Sequence, residues 1–223
     1  MGVSPAAPEV PEVPAASEVP AATGVPTTRS QAKADRREAL LGAAATLFAR
    51  SGYNGVSIED LGAAVGVSGP AVYRHFSGKP AVLAALLVEV SETLVAGGQA
   101  VVEGAPDAAR ALRALVRFHT DFALSHLNVI RVQDRDLDSL ATADRHQVRA
   151  LQRTYVELWV HVLGQVHPEV EATLLRIRAQ ATFGLLNSTP HTLPASPSGA
   201  VRPLLEEMAL AALGAGDPSV DTQ

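Results

Sequence analysis

The chain has 223 residues, of which 47% are hydrophobic and 18% charged, with a net charge of −5. That composition is enough for a substantial core and argues against global disorder, and no charge-free apolar run approaches the roughly 18–20 residues that span a bilayer. Cysteine is absent, which excludes disulfides, thiolate metal sites and cysteine nucleophiles.

The acidic balance is uneven. Residues 1–28 carry Glu9, Glu12 and Glu18 and no basic side chain, whereas residues 29–80 carry seven Lys/Arg against four Asp/Glu. The opening stretch repeats Glu-Val-Pro with no helical or strand period, so residues 1–30 are expected to form a disordered tail outside the fold. Pro and Glu interrupt any apolar stretch that could serve as a secretion signal, and the expected location is the cytoplasm.

From Gln31 the pattern is helical, with Ala39, Leu40, Ala43, Leu47 and Phe48 recurring at three- and four-residue steps until Ser51-Gly52. Ser57 is the expected N-cap of a short helix to about Val65, with Glu59 and Asp60 as first-turn acids rather than a full Glu/Gln capping box. Gly66-Val67 turns the chain. Ser68 is placed to cap a second short helix running to Phe76, and Pro70 sits early in it, where the missing N–H costs nothing.

Ser77-Gly78 breaks that helix, and Lys79-Pro80 opens a long apolar one ending near Gly97-Gly98 or as late as Gly104. Further helices are expected near 106–125, 128–140, 143–166, 169–189 and 198–213, with no strand signal. The fold class is therefore all-α. An N-terminal three-helix helix-turn-helix domain over 31–78 precedes a larger helical ligand-binding and dimerisation domain over 79–214, and a short tail covers 215–223.

Two short helices joined by a tight Gly-containing turn, covered by a longer helix, make a helix-turn-helix unit. Ile58, Leu61, Ala64, Val67, Val72 and Phe76 are expected to form one small core with Leu40, Leu47 and Phe48. The opposite side of the second short helix is then free to enter a major groove.

The run ARSGYNGVSIEDLGAAVGVSGPAVYRHFSGK, residues 49–79, resembles the DNA-binding segment of the TetR/AcrR family of transcriptional regulators. The resemblance extends over about residues 33–88, and beyond it the chain resembles the family in architecture alone. It implies a regulator, not an enzyme, that binds a double-stranded DNA operator and is released from it by a small hydrophobic effector.

The DNA-contacting positions it implies are Ser57, Ser68, Gly69, Pro70, Ala71, Tyr73, Arg74, His75 and Lys79. Gly69, Pro70 and Ala71 stand where family members contact base edges, yet none has a polar side chain. Close approach to a thymine methyl is what they offer, and Arg74 becomes the candidate for guanine readout. Tyr73, His75 and Lys79 match the family's phosphate-contacting positions, and Arg29, Lys33, Arg36 and Arg37 are further basic candidates.

One such unit has few base-reading side chains, so a homodimer is expected, held by the last two long helices through Leu174, Leu175, Ile177, Ala181, Phe183, Leu185 and Leu186 of one and Leu204, Leu205, Met208, Leu210 and Leu213 of the other. Effector candidates are Phe118, Phe122, Arg131, Tyr155, Trp159, Phe183 and Asn187, with His119, His126 and Gln133 on the same helices; the same residues also fit a plain core. No nucleophile elbow, P-loop or dinucleotide fingerprint occurs. No metal or other cofactor is expected, because His119 and His126 stand two turns apart, about 10 Å along a helix axis.

Overall fold

The computed structural model describes residues 1–2, 28–192 and 199–215. The expected tails therefore lie almost entirely outside the described residues, as does Ser198, the expected start of the last helix. Among the described residues every regular element is helical. The order is α1 (Thr28–Ser51), α2 (Ile58–Ala64), α3 (Gly69–Val72), α4 (Lys79–Glu103), α5 (Ala108–Ser125), α6 (Leu127–Asp136), a 3-10 turn (Leu137–Ser139), α7 (Thr142–Val166), α8 (Ala172–Asn187), α9 (Thr189–Thr192) and α10 (Val201–Ala212).

Several boundaries differ from the sequence reading. Helix α1 begins at Thr28 rather than Gln31, while α4 takes the later of its two expected ends, with its cap at Gly104. The helix expected to end at Thr189 stops at Asn187, and a separate short turn, α9, follows with Pro190 near its start.

The α2–α3 turn follows from backbone chemistry. Gly66 adopts φ +71°, and the Gly66 and Val67 amides donate to the Ala63 and Gly62 carbonyls at 3.1 and 2.9 Å. This is the Schellman arrangement, which a side chain at Gly66 would strain. A Cβ at Gly62 would lie 2.7 Å from the Val67 carbonyl oxygen, so the turn folds back against α2 only because that position is glycine.

At the start of α2 the capping box is complete after all. The Ser57 hydroxyl accepts from the Asp60 amide at 3.0 Å, and the Ser57 amide donates to the Asp60 carboxylate at 2.8 Å. Aspartate does here what glutamate usually does. Ser68, by contrast, makes no side-chain cap on α3.

Two apolar clusters organise the packing. The first joins Leu40, Phe48, Ile58, Leu61, Val72 and Phe76 to Leu83 and Leu87 of α4 and Val129 and Val132 of α6. Of the residues expected in this core, Leu47 and Val67 are only half-buried, and Ala64 faces solvent because α2 ends there. The second cluster holds Leu112, Leu115, Trp159, Leu163, Leu175, Leu186 and Leu213.

Helix α4 contributes to both clusters and packs along α5 and α7. By length and composition it is apolar enough to cross a bilayer, with mean hydropathy 1.7, although the charge-free criterion finds no such run. Glu89 and Glu92 interrupt it without offsetting its Val, Leu and Ala content. The apolar residues are accounted for by packing, since α4 has neighbours on several sides.

At Gly97 and Gly98, α4 is thin enough to admit two rings. A methyl group at Gly98 would sit 2.6 Å from Tyr155 Cε2 and 3.0 Å from Leu158 Cδ2. Because Tyr155 is itself buried, Gly98→Ala is expected to destabilise the fold by about 1–3 kcal/mol. An unchanged urea-unfolding midpoint for that variant would contradict the packing described.

Candidate nucleic-acid interface and internal cavity

Helix α3 is only four residues long, but its turn continues: the Arg74, His75 and Phe76 amides donate to the Ala71 and Val72 carbonyls. Val72 and Phe76 thereby point into the core, while Tyr73 and Arg74 project outward. Tyr73 is 56% exposed, unusual for a large aromatic side chain, and Arg74 makes no hydrogen bond or ion pair.

Pro70 and Ser68 are exposed and Ala71 half-exposed on the same leading edge, whereas Gly69 is buried against Glu59. Ser57 is exposed but committed to its capping box, and those bonds hold the Asp60 carboxyl below its ordinary range. His75 is half-buried with an unpartnered Nδ1. Burial lowers its pKa first, and the charges of Lys33, Arg36, Arg37 and Arg74 lower it further. Those four cations therefore gather around one histidine at the junction of α1 and α3.

Not all of them are free. Arg37 forms a fork with Glu89 of α4 and lies 5.2 Å over the Phe76 ring, and Arg36 donates to the Val65 carbonyl at 3.1 Å. Lys79 is also engaged: its ammonium donates to the Tyr53 and Val56 carbonyls, each at 2.9 Å, and sits 4.4 Å over the Tyr53 ring. It pins the α1–α2 loop, a role the sequence does not signal.

A cavity of about 200 Å³ lies between α4, α5, α6, α7 and α8. Tyr155, Phe183 and Asn187 line it, together with His119 and Gln133, and with Ser91, Leu94, Leu151, Gln152 and Val156, which sequence reasoning did not single out. The other four effector candidates lie outside the lining. Phe118 packs against Gly97, and Phe122 stacks on His126 at 4.7 Å. Trp159 is fully buried behind Phe183 at 4.9 Å, and the Arg131 guanidinium binds the Pro190 carbonyl.

His119 is the polar centre of the cavity wall. Its ring lies 4.9 Å from that of Phe183 and 5.7 Å from that of Tyr155, and its Nε2 is 3.2 Å from Asn187 Oδ1. Burial brings its pKa down to about 4, so at neutral pH it is an uncharged donor to Asn187. The Tyr155 phenol is pushed up by the same cause.

Helix α6 joins this region to the α1–α3 unit. Gln133 lines the cavity, and two residues on, Arg135 donates to the Phe48 and Ala49 carbonyls at the C-terminal end of α1. Those carbonyls carry the negative end of the helix dipole, which a guanidinium suits. Leu174, Ile177, Leu204 and Met208 of α8 and α10 are exposed, each 45–56%.

Comparison with known proteins gives two matching family models: bacterial regulatory proteins, tetR family, over residues 40–86, and the tetracyclin repressor-like C-terminal domain over residues 105–191. The HTH-type transcriptional repressor KstR2 of Rhodococcus jostii (strain RHA1) is 29% identical over 135 residues, 60% of this chain and 66% of that protein. The HTH-type transcriptional activator FasR of Mycolicibacterium smegmatis (strain ATCC 700084 / mc(2)155) is 34% identical over 88 residues, 40% of each chain. The match thus spans less than two thirds of either curated relative. A crystal structure of a TetR-family transcriptional regulator from Bordetella parapertussis 12822 superposes with TM-score 0.74 at 25% identity, covering 85% of this chain and 99% of that one.

Proposed function

Since the chain belongs to the TetR family of bacterial regulatory proteins, we propose that it is a homodimeric repressor that reads a palindromic operator through α2–α3 and releases it when a small, mostly apolar effector enters the cavity. Regulators of this family bind DNA operators and small molecules and act as dimers. In the proposed arrangement residues 31–78 form the reading domain and residues 79–214 the sensing and dimerising domain, and the protein works in the cytoplasm.

The observation that carries the DNA reading is the pairing of exposed Tyr73 with an uncommitted Arg74, projecting from a turn whose other side is sealed into the core. Arg74 reads guanine in the major groove, Gly69, Pro70 and Ala71 let the backbone approach closely, and Ser68 meets a phosphate at the start of α3. Ser57, Tyr73, His75 and Lys79 meet the phosphates. Lys79 keeps one N–H for this after its two loop bonds. Tyr155, Phe183 and Asn187 face the effector, and α6, through Gln133 and Arg135, joins α4 in carrying its arrival to α1.

Selection of random duplex DNA by the full chain tests this directly. An inverted repeat is expected, and Arg74→Ala is expected to lose about 1–3 kcal/mol of discrimination at a single base pair in each half-site. A folded, dimeric protein that enriches no sequence would remove the operator reading.

A further inference from the structure

Charge is segregated around the first helix. Arg29, Lys33, Arg36 and Arg37 fall within an arc of about 100° on α1, and Asp35 and Glu38 stand on the opposite side. The arc adjoins the reading turn, since Lys33, Arg36 and Arg37 act on His75 together with Arg74. Two of these five cations are committed within the fold, Arg37 to Glu89 and Arg36 to the Val65 carbonyl. Arg29, Lys33 and Arg74 are exposed, and among the described residues they have neither a hydrogen bond nor an ion pair.

The chain enters the fold beside these groups. Residues 3–27 lie outside the described residues and join α1 at Thr28, next to Arg29 and about 8 Å along the helix axis from Lys33. That segment carries Glu9, Glu12 and Glu18 and no cation. Glu18 stands ten residues before Thr28, enough chain for a span of up to about 35 Å, and Glu12 and Glu9 have more. All three carboxylates can therefore reach the free cations of α1 and the reading turn, and the tether supplies them at an effective concentration on the order of millimolar. Guanidinium and ammonium groups donate to a carboxylate as they do to a phosphate, so the segment and DNA compete for the same donors.

We infer that the acidic segment 9–18 docks on Arg29, Lys33 and Arg74 of its own subunit and is displaced when DNA phosphates take its place, so that the chain carries a competitor for its own reading face. This rests on α1–α3 being the DNA-contacting unit. The competitor lowers affinity for every duplex by the same factor, and an operator, which adds base contacts, stays bound at protein concentrations where binding through phosphates alone has already failed. Because the charges involved are exposed, salt screens the contact.

Lys33 and Lys79 are the only lysines of the chain, and the Lys79 ammonium is taken up by the Tyr53 and Val56 carbonyls. A carbodiimide, which joins an amine to a carboxylate in contact with it, therefore reads the docking at one residue, by mass spectrometry of the full-length protein that still runs as a single chain. A bond from Lys33 to Glu9, Glu12 or Glu18 is expected at about 50 mM salt, and is expected to be lost at about 500 mM salt or under excess duplex DNA. Docking on the arginines of α7 instead would leave Lys33 without such a bond.

In parallel, the full chain and its Glu9→Gln/Glu12→Gln/Glu18→Gln variant are titrated with the selected operator and with unselected duplex. The variant is expected to bind both about three- to tenfold more tightly at about 50 mM salt, and to come within about twofold of the parent at about 300 mM. Absence of a link from the segment to Lys33, a link indifferent to salt, or a variant that binds DNA no more tightly than the parent at low salt overturns the competitor. A salt-sensitive link in a protein that binds no duplex at all upholds the docking and defeats instead the DNA reading of α1–α3.

Discussion

Ile177→Arg is expected to lower operator affinity by about two to four orders of magnitude while the monomer stays folded. Among the described residues, four of the six large hydrophobic side chains left exposed are Leu174 and Ile177 on α8 and Leu204 and Met208 on α10. Leu174, Ile177, Ala181 and Gly184 recur at three- and four-residue steps on the side of α8 opposite its buried Leu175, Ala179, Thr182 and Leu186. A helix with apolar residues on both faces satisfies a core with one and needs a partner for the other. In the proposed homodimer a second copy supplies it by two-fold symmetry.

Linking two weak half-site contacts through such an interface raises apparent affinity by about 10²–10⁴, and a guanidinium in the middle of the apolar stripe removes that gain. Sedimentation gives the oligomeric state and a mobility-shift titration gives the affinity. A variant that remains dimeric and binds DNA normally would place the interface elsewhere.

The second large effect is on stability in acid. The His119 imidazole has a folded-state pKa of about 4 against an ordinary value of 6.5, because its burial disfavours the charged form. Above pH 6.5 both the folded and the unfolded chain hold it neutral, and its contribution is fully present. Between 6.5 and 4 the unfolded chain takes up a proton that the folded chain refuses, so stability falls with falling pH by about 3 kcal/mol across that window.

His119→Gln keeps an uncharged donor for Asn187 and has no proton to take up. Urea unfolding of the two proteins at pH 7.5 and pH 5 is expected to show a smaller acid loss in the variant. Equal losses would show that His119 does not contribute to the pH dependence.

The α1–α3 unit was legible because its signals are local. Ser57, Gly66 and Pro70 each dictate backbone within a few residues, and the spacing of Leu61, Val72 and Phe76 selects one face. Ala64 misled because periodicity carries on where the helix itself stops. The Glu/Gln pattern does not signal the capping box, because an aspartate stands at the third position, yet the Asp60 carboxylate accepts from the Ser57 amide.

The cavity was harder to read. Ser91, Gln133, Gln152 and Asn187 come from four different helices, and nothing in the sequence brings them together. Tyr155 and Trp159 share a helix face, yet only the first borders the cavity, because Phe183 stands in front of the indole. Lys79 reaches backbone carbonyls of distant residues, and Arg135, ion-paired with neighbouring Asp136, also reaches the Phe48 carbonyl, uses that leave no trace in local pattern.

Consider finally the ten residues of α6 in mechanical terms. Successive residues turn by about 100°, so Gln133 and Arg135 point to nearly opposite sides of the same rigid rod, about 3 Å apart along its axis. A push on the cavity side of the rod therefore bears on the guanidinium bound to the Phe48 and Ala49 carbonyls. Arg131 anchors the rod to Pro190, ahead of α10 and its exposed apolar face. If the proposed function holds, the stroke at α1 is set by how far a bound molecule protrudes toward Gln133, and a tight-binding compound that stops short of that amide is expected to occupy the cavity without releasing DNA.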